Sequence, residues 1–429
     1  MSNDAHSWRK GLSLLRERDF ARLFFARLVS AFGSSMVFVA LPFAVLELVG
    51  SENPGPVGYV IASATTAQLL FQLFGGALAD RGSRQRMMVW ADVLAATSQA
   101  AMAVLLFTGS ATVPALMGLA AVMGTAFALH WPASVGLVPL VVERHDLQAA
   151  NALLSMANST AMGFGAAVGG ILAATIGAAW AIGFDALTFA VSGALIFTLR
   201  PRAQTHESSE SLLQGIRAGW REFTSHRWLW AIVAQFSILV MGFQATYAVI
   251  GPIVADRSMG GPASWGFVAA GFGAGLLFGG LLAMRLQLQR PMLVGVVCCF
   301  LLALLPYLLV GPAPVLWVAF GGFLAGTGIE LFGVFWNTAI HTHVAPEAIS
   351  RVSAYDVVGS MALAPIGEAL AGPLVASVGA PVTLQAATLM VIVPTALVLF
   401  VPEVRNLRGI GAPPGLPTED PSPSVTPGE

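Results

Sequence analysis

Apolar runs of about 20 residues follow one another along almost the whole chain, and short polar or turn-rich segments separate them. No water-soluble fold accommodates that pattern. A run of this length crosses roughly 30 Å of hydrocarbon as a helix. In lipid, a helix satisfies its own backbone donors and acceptors. We read twelve such runs, at about 20–49, 57–79, 87–109, 113–138, 149–175, 179–199, 228–251, 264–284, 291–310, 313–340, 353–377 and 381–401. Connections such as Gly109–Thr112 and Gly311–Pro312 are short enough to force antiparallel helical hairpins. The expected fold class is an all-α polytopic membrane protein. Composition agrees, since 56% of the 429 residues are hydrophobic and only 10% are charged, too little charge for a soluble surface. A formal net charge of −1 excludes nucleic acid as an electrostatic partner.

The basic residues give the orientation. Arg9, Lys10, Arg16 and Arg18, then Arg81, Arg84 and Arg86, Arg144, the 200–227 connection, Arg285, Arg290, Arg351, Arg405 and Arg408 all fall on one side. With Arg22 and Arg27 in the first turns of the first run, only Arg257 falls on the other, so 20 of 21 basic residues are on or near one face. Both termini are expected in the cytoplasm and the chain in the cytoplasmic (inner) membrane. The first run is too long for a signal-peptide core, so it is read as a retained span. Adjacent Cys298 and Cys299 are read as packing residues. No metal-ligand spacing, nucleotide loop or nucleophile–base pair is present, so no cofactor, no metal and no catalytic residues are expected, and the chain is read as not an enzyme.

These signals divide the chain into a cytoplasmic segment 1–19, a six-helix bundle 20–199, a linker 200–227, a second six-helix bundle 228–401 and a tail 402–429. The tail is rich in Pro, Gly, Ser and Thr and is expected to be disordered. In the linker, Leu212, Leu213, Ile216, Trp220 and Phe223 share one helical face, which predicts a short amphipathic helix on the membrane surface. The bundles read as repeats. Adding 202 carries Leu147, Ala150, Gly165, Gly170 and Gly177 onto Ile349, Val352, Gly367, Gly372 and Gly379. Adding 204 carries Gly75-Gly76-Ala77-Leu78-Ala79 onto Gly279-Gly280-Leu281-Leu282-Ala283, and adding 205 carries Phe127 and Trp131 onto Phe332 and Trp336. Near-equal offsets point to a duplicated unit in one orientation.

The connection between the second and third runs reads Gly75-Gly76-Ala77-Leu78-Ala79-Asp80-Arg81, followed by Arg84 and Arg86. It resembles the Gly-x-Leu-Ala-Asp-Arg loop of the major facilitator superfamily. The segments around Asp19–Gly33, Gln148–Leu153, Phe184–Phe189 and Arg351–Asp356 are similar to those of its enterobactin-exporter and macrolide-efflux branch. The resemblance covers residues 15–400 and implies two parallel six-helix repeats around a central cavity, working by alternating access. It departs from the branch at three points: Ser34 where an acid is frequent, Gly165-Ala166 where a Gly-Pro pair is usual, and Met284 where the second loop would repeat Asp80.

The resemblance implies a conformational latch made by Gly76, Asp80, Arg81, Arg84 and Arg86, with Asp80 meeting the start of span eleven near Asp356. Gly165, Gly169, Gly170, Gly367 and Gly372 are candidate helix-packing positions, because small residues let helix backbones approach. Ionisable residues inside a membrane mark function or a buried partner. Glu330 and Glu368 lie roughly 25 Å and 22 Å into their helices at 1.5 Å per residue, and each should face the cavity or find a partner. They are the first and second candidates for proton coupling, followed by His130 and Asp185; Asp92 and Asp185 also read as structural hydrogen-bonding groups. The resemblance also implies that spans one, four, ten and eleven line the cavity. Cavity-lining candidates are Arg27, Gln72, Trp131, Asn158, Gln244, Tyr247, Trp336 and Asn337. No arginine cluster for phosphate occurs, and Phe, Trp and Met are plentiful, which suits bulky, partly apolar compounds. The expected function is proton-coupled export of small amphiphilic molecules such as drugs, siderophores or secondary metabolites by a monomer in the lipid bilayer. A proton-coupled nutrient symporter and a lipid scramblase are the alternatives.

Overall fold

The computed structural model describes residues 13–202, 212–286, 288–345 and 348–407, and no strand occurs among them. In the first half the helices are α1 (Arg18–Val49), α2 (Gly55–Arg81), α3 (Arg84–Phe107), α4 (Val113–Val141), α5 (Leu147–Thr175) and α6 (Ala178–Phe197). A linker helix α7 (Leu212–Ser225) follows. The second half contains α8 (Arg227–Met259), which passes through π-helical turns at Ala245–Ile250 and Ala255–Met259, then α9 (Pro262–Ala283) and α10 (Pro291–Leu308). It continues with α11 (Val315–His343), α12 (Ile349–Met361), α13 (Ala364–Val378), α14 (Ala380–Val398) and a short α15 (Pro402–Asn406).

Ten helical stretches among the described residues are long and apolar enough to cross a membrane, with α12 and α13 counted as one from Val352 to Val378. α2 and α5, of 27 and 29 residues, are not among the ten. α5 is more polar than its neighbours, carrying Asn151, Ser155, Asn158, Ser159 and Thr160 in its first half. Both pack within the bundle, α2 against α4 and α5 against α1.

Chain reversals alternate between two ends of the bundle. At the end shared with the start of α1, Arg22 donates to the Thr198 carbonyl at 3.0 Å, and Arg202 N–H donates to Leu140 O at 3.0 Å. The amide of Gln85 reaches the carbonyls of Ile196 and Leu199, at 2.9 and 2.8 Å, closing the exposed C-terminus of α6. Below, this is the terminal end. At the opposite end, the Ser51 hydroxyl donates to Asp256, and Arg257 donates to the Ser51 carbonyl, which joins α1 to α8.

Packing repeats between the halves. α2 lies on α4 as α9 lies on α11. Both crossings are backbone on backbone. A Cβ on Gly124 would sit 1.9 Å from Ala64 O, and one on Gly275 would sit 2.0 Å from Phe323 O. Turns repeat as well. Gly177 and Gly379, 202 positions apart, have φ of 99° and 86° with ψ of 151° and 157°, a backbone region open essentially to glycine alone. The most extensive contacts between the halves are α5 with α9 and α2 with α13.

The helix of span eleven breaks at Ala362 and Leu363, between α12 and α13. Pro365 has no N–H to return to the Met361 carbonyl, so the ladder lapses there. The amphipathic helix expected in the linker is present as α7. Its Trp220 and Phe223 rings pack on Tyr355 of α12, with centroids 5.4 and 5.9 Å away.

Candidate functional site

A cavity of about 330 Å³ opens between the halves. Its wall is built mainly by the first half. α1 contributes Arg27, Ser30, Ser34 and Phe38, all on one helical face. α4 supplies Phe127, His130, Trp131 and Ser134, and α5 supplies Asn158 and Met162. From the second half come Tyr247 on α8 and Phe272 on α9. Their rings, with Phe38, form an apolar floor: Tyr247 lies 4.9 Å from Phe38 and 4.9 Å from Phe272 between centroids. Polar groups gather nearer the terminal end, where Arg27, His130, Ser134 and Asn158 stand at similar depth on their helices.

Behind His130 lies a buried polar cluster. Asp92 on α3 accepts from the Ser192 hydroxyl at 2.7 Å, and its other oxygen is 3.4 Å from His130 Nε2. That contact is not a hydrogen bond, and neither atom has another partner among the described residues. One layer toward the opposite end, Asp185 accepts from the Gln99 amide at 2.7 Å and the Thr188 hydroxyl at 3.0 Å, and it is fully buried against Gly33.

Of the site residues chosen from sequence, Arg27, His130, Trp131, Asn158 and Tyr247 line the cavity. Gln72, Gln244, Trp336 and Asn337 do not. The Trp336 indole donates to Asp356 at 2.8 Å, so it is turned into its own half. Asn337 is exposed and donates to the Gly333 carbonyl one turn back, at 2.8 Å. Among the described residues, α11, α12 and α13 contribute nothing to this wall, although spans ten and eleven were expected to line it. The cavity lies on the first-half side of the seam, walled by α1, α4, α5 and α6 with only α8 and α9 from the second half, and the mean hydropathy of a run is blind to such placement.

Glu330 lies beside Gly279 and Gly280 of α9, within the second half. Glu368 is 1% exposed in the seam between α13 and α2, beside the Thr65 hydroxyl, and its Oε2 has no partner among the described residues. Asp356 also accepts from Ser360 at 3.1 Å. α2 ends at Arg81, and the side chains of Asp80 and Arg81, with Gly76, lie outside the described residues. Arg84 donates to the Gly136 carbonyl at 2.7 Å, and Arg86 is exposed. Gly165 and Gly169 press α5 onto Phe32 and Met36 of α1, while Gly367 presses α13 onto Met241 of α8. Gly170 meets Gly266, and Gly372 meets Gly55, both across the halves.

Ser30, Ser34, Ser134 and Phe272 are lining residues that sequence reasoning did not select. The first two carried a usable signal: with Arg27 they form a polar stripe at i, i+3 and i+7 on an otherwise apolar helix.

A two-fold repeated helical bundle with a solute-sized cavity at its seam defines a multi-pass membrane transporter of the major facilitator fold. The chain belongs to the family described as "Transmembrane secretion effector", whose model matches residues 9–320. It is 25% identical over 402 residues to the multidrug efflux pump Tap of Mycolicibacterium fortuitum, covering 90% of this chain and 96% of that protein. It is 24% identical over 412 residues to the enterobactin exporter EntS of Shigella boydii, covering 94% and 96%. In fold it is similar to a point mutant of the nucleoside transporter NupG, with a TM-score of 0.72 at 12% identity over 89% of this chain and 98% of that one. It is also similar to a bacterial homologue of the human lysosomal transporter Spinster in an inward-facing, unoccupied conformation, with a TM-score of 0.67 at 14% identity over 92% and 98%.

Proposed function

We propose that the protein exports small amphiphilic molecules across the cytoplasmic membrane by alternating access, as a monomer driven by proton antiport. The observation that carries this reading is the match, over nine-tenths of the chain, to relatives named as an efflux pump and an exporter. The aromatic floor and polar upper wall of the cavity suit an amphiphile. Rocking of the halves is supported by glycine-on-glycine crossings at the seam, where backbones can roll with little side-chain interlock. With both termini cytoplasmic, the end joined by Ser51, Asp256 and Arg257 is the outer one, and the cavity faces inward.

Glu368 becomes the first candidate for proton coupling. A carboxyl in the seam between halves changes surroundings when the halves move, and an acid packed inside one half, as Glu330 is, changes less. Asp80 and Arg81 remain the proposed cytoplasmic latch. Cells expressing the protein should accumulate less of a fluorescent amphiphile, and an uncoupler should abolish the difference. In proteoliposomes, Glu368→Gln should remove pH-driven efflux while substrate binding persists, and Glu330→Gln should retain it. Equal accumulation with and without the protein, across a panel of amphiphiles, would overturn export. Full pH-driven efflux in Glu368→Gln would overturn the proton assignment.

A further inference from the structure

The polar equipment of the cavity is unbalanced in charge. Arg27 is the one side chain among its described lining residues that is always charged, and no carboxylate lines the wall. Arg27 is half-buried, and its guanidinium has no hydrogen-bond or ion-pair partner among the described residues. The acid on this flank, Asp92, is 1% exposed behind His130 and already holds Ser192. A guanidinium retained inside a membrane protein normally pairs with an anion or marks a substrate path. The same wall carries Ser134 and two donors held only by weak contacts, the Ser30 hydroxyl on the Arg27 carbonyl at 3.3 Å and the Asn158 amide on Met162 Sδ at 3.7 Å, which can turn to an oxyanion. Further along the cavity, Phe38, Tyr247 and Phe272 supply the apolar floor.

We propose that the substrate of this cavity is an amphiphilic organic anion, with its acidic group seated on Arg27 and its aromatic or aliphatic body on the Phe38–Tyr247–Phe272 floor. This rests on the export reading for direction but not for binding. The guanidinium offers a forked pair of donors that matches a carboxylate or sulfonate, and a cation in the same place meets an uncompensated like charge. Discrimination therefore comes both from the attraction and from that repulsion.

The test uses one apolar body with three charges: pyrenebutyrate, pyrenebutanol and pyrenebutyltrimethylammonium. Their binding to the purified full-length protein is followed by energy transfer from tryptophan, including Trp131 in the wall. Pyrenebutyrate should bind at least about 10-fold more tightly than the alcohol, a ratio of roughly 1.4 kcal/mol, and the ammonium should bind most weakly. Arg27→Gln should erase the ratio while leaving alcohol binding in place, and Arg27→Lys should keep part of it. Competition by short-chain phosphatidylglycerol would identify the anion as a lipid headgroup; its failure to compete, with pyrenebutyrate still bound, would identify a soluble acid. Equal binding of all three probes, preference for the ammonium, binding of none, or an Arg27→Gln protein with the ratio intact would each overturn the proposal. Transport separates the two readings. Selective binding of pyrenebutyrate without its efflux leaves the anion site standing and removes export, whereas efflux of all three probes regardless of Arg27 does the reverse.

Discussion

Asp92 and Asp185 show how a carboxyl is accommodated when it is buried inside a membrane bundle. They are steps of one ladder between the antiparallel helices α3 and α6. Asp92 pairs with Ser192, and two turns on, Gln99 pairs with Asp185. Each acid is opposed by a donor, so burial is tolerated. Asp185 is the more completely held, with Gln99 and Thr188 both donating to it. Asp185→Asn keeps an oxygen acceptor for the Gln99 amide, and its new amide can donate to the Thr188 hydroxyl oxygen, whose own proton already reaches the Asp185 carbonyl at 2.8 Å, so unfolding in detergent should stay nearly unchanged. Asp185→Ala strands the Gln99 amide and should cost about 1–3 kcal/mol, visible as a lower thermal midpoint. Pumping should survive in the Asn variant, because this acid is held in a ladder within the first half; loss of proton-driven efflux in a stable Asp185→Asn protein would make Asp185 a carrier rather than a peg.

Helix crossings are set by where glycine removes a side chain. At Gly372 a Cβ would lie 2.4 Å from the Pro54 carbonyl and 2.7 Å from the Gly55 Cα, both backbone atoms that cannot rotate aside. Gly372→Ala should therefore pry α13 from α2 at the end that the seam now closes, with a loss on the order of 1–3 kcal/mol. A cysteine pair at Ser51 and Asp256, in a background without Cys298 and Cys299, reports that closure. Cross-linking should be efficient in the parent and reduced in Gly372→Ala. Gly118, with nothing within 4 Å of an added Cβ, is the control: Gly118→Ala should not lower stability and should leave cross-linking unchanged. An indifferent Gly372→Ala would show that the seam is looser than its geometry.

The topology of the whole chain makes the sharpest prediction about orientation. With Cys298 and Cys299 replaced, cysteines introduced at Ser208 and Ser258 should label from opposite faces, Ser208 from the cytoplasm; labelling of both from outside would invert or break the assignment. Asp80→Asn should reduce transport several-fold at equal membrane abundance, because the proposed latch needs the carboxylate charge; undiminished efflux would reduce that loop to a marker of orientation. The fold class and the superfamily were legible in the sequence, because lipid forces a helix wherever about 20 apolar residues run together and the repeat offsets are properties of the chain alone. The linker helix was legible from its apolar spacing alone. The cavity was legible only in part: Arg27, His130, Trp131, Asn158 and Tyr247 line it, whereas Trp336 and Asn337, equally polar on equally apolar helices, face elsewhere. Hydropathy fixes that a helix crosses the membrane, but its rotation about its own axis is fixed by neighbours far away in sequence, as Gly372 is from Pro54. Glu368 is a seam residue only because Gly58 admits its backbone carbonyl. In lipid, a ring facing acyl chains and a ring facing substrate have the same local signature, so only the packed structure decides which wall each belongs to.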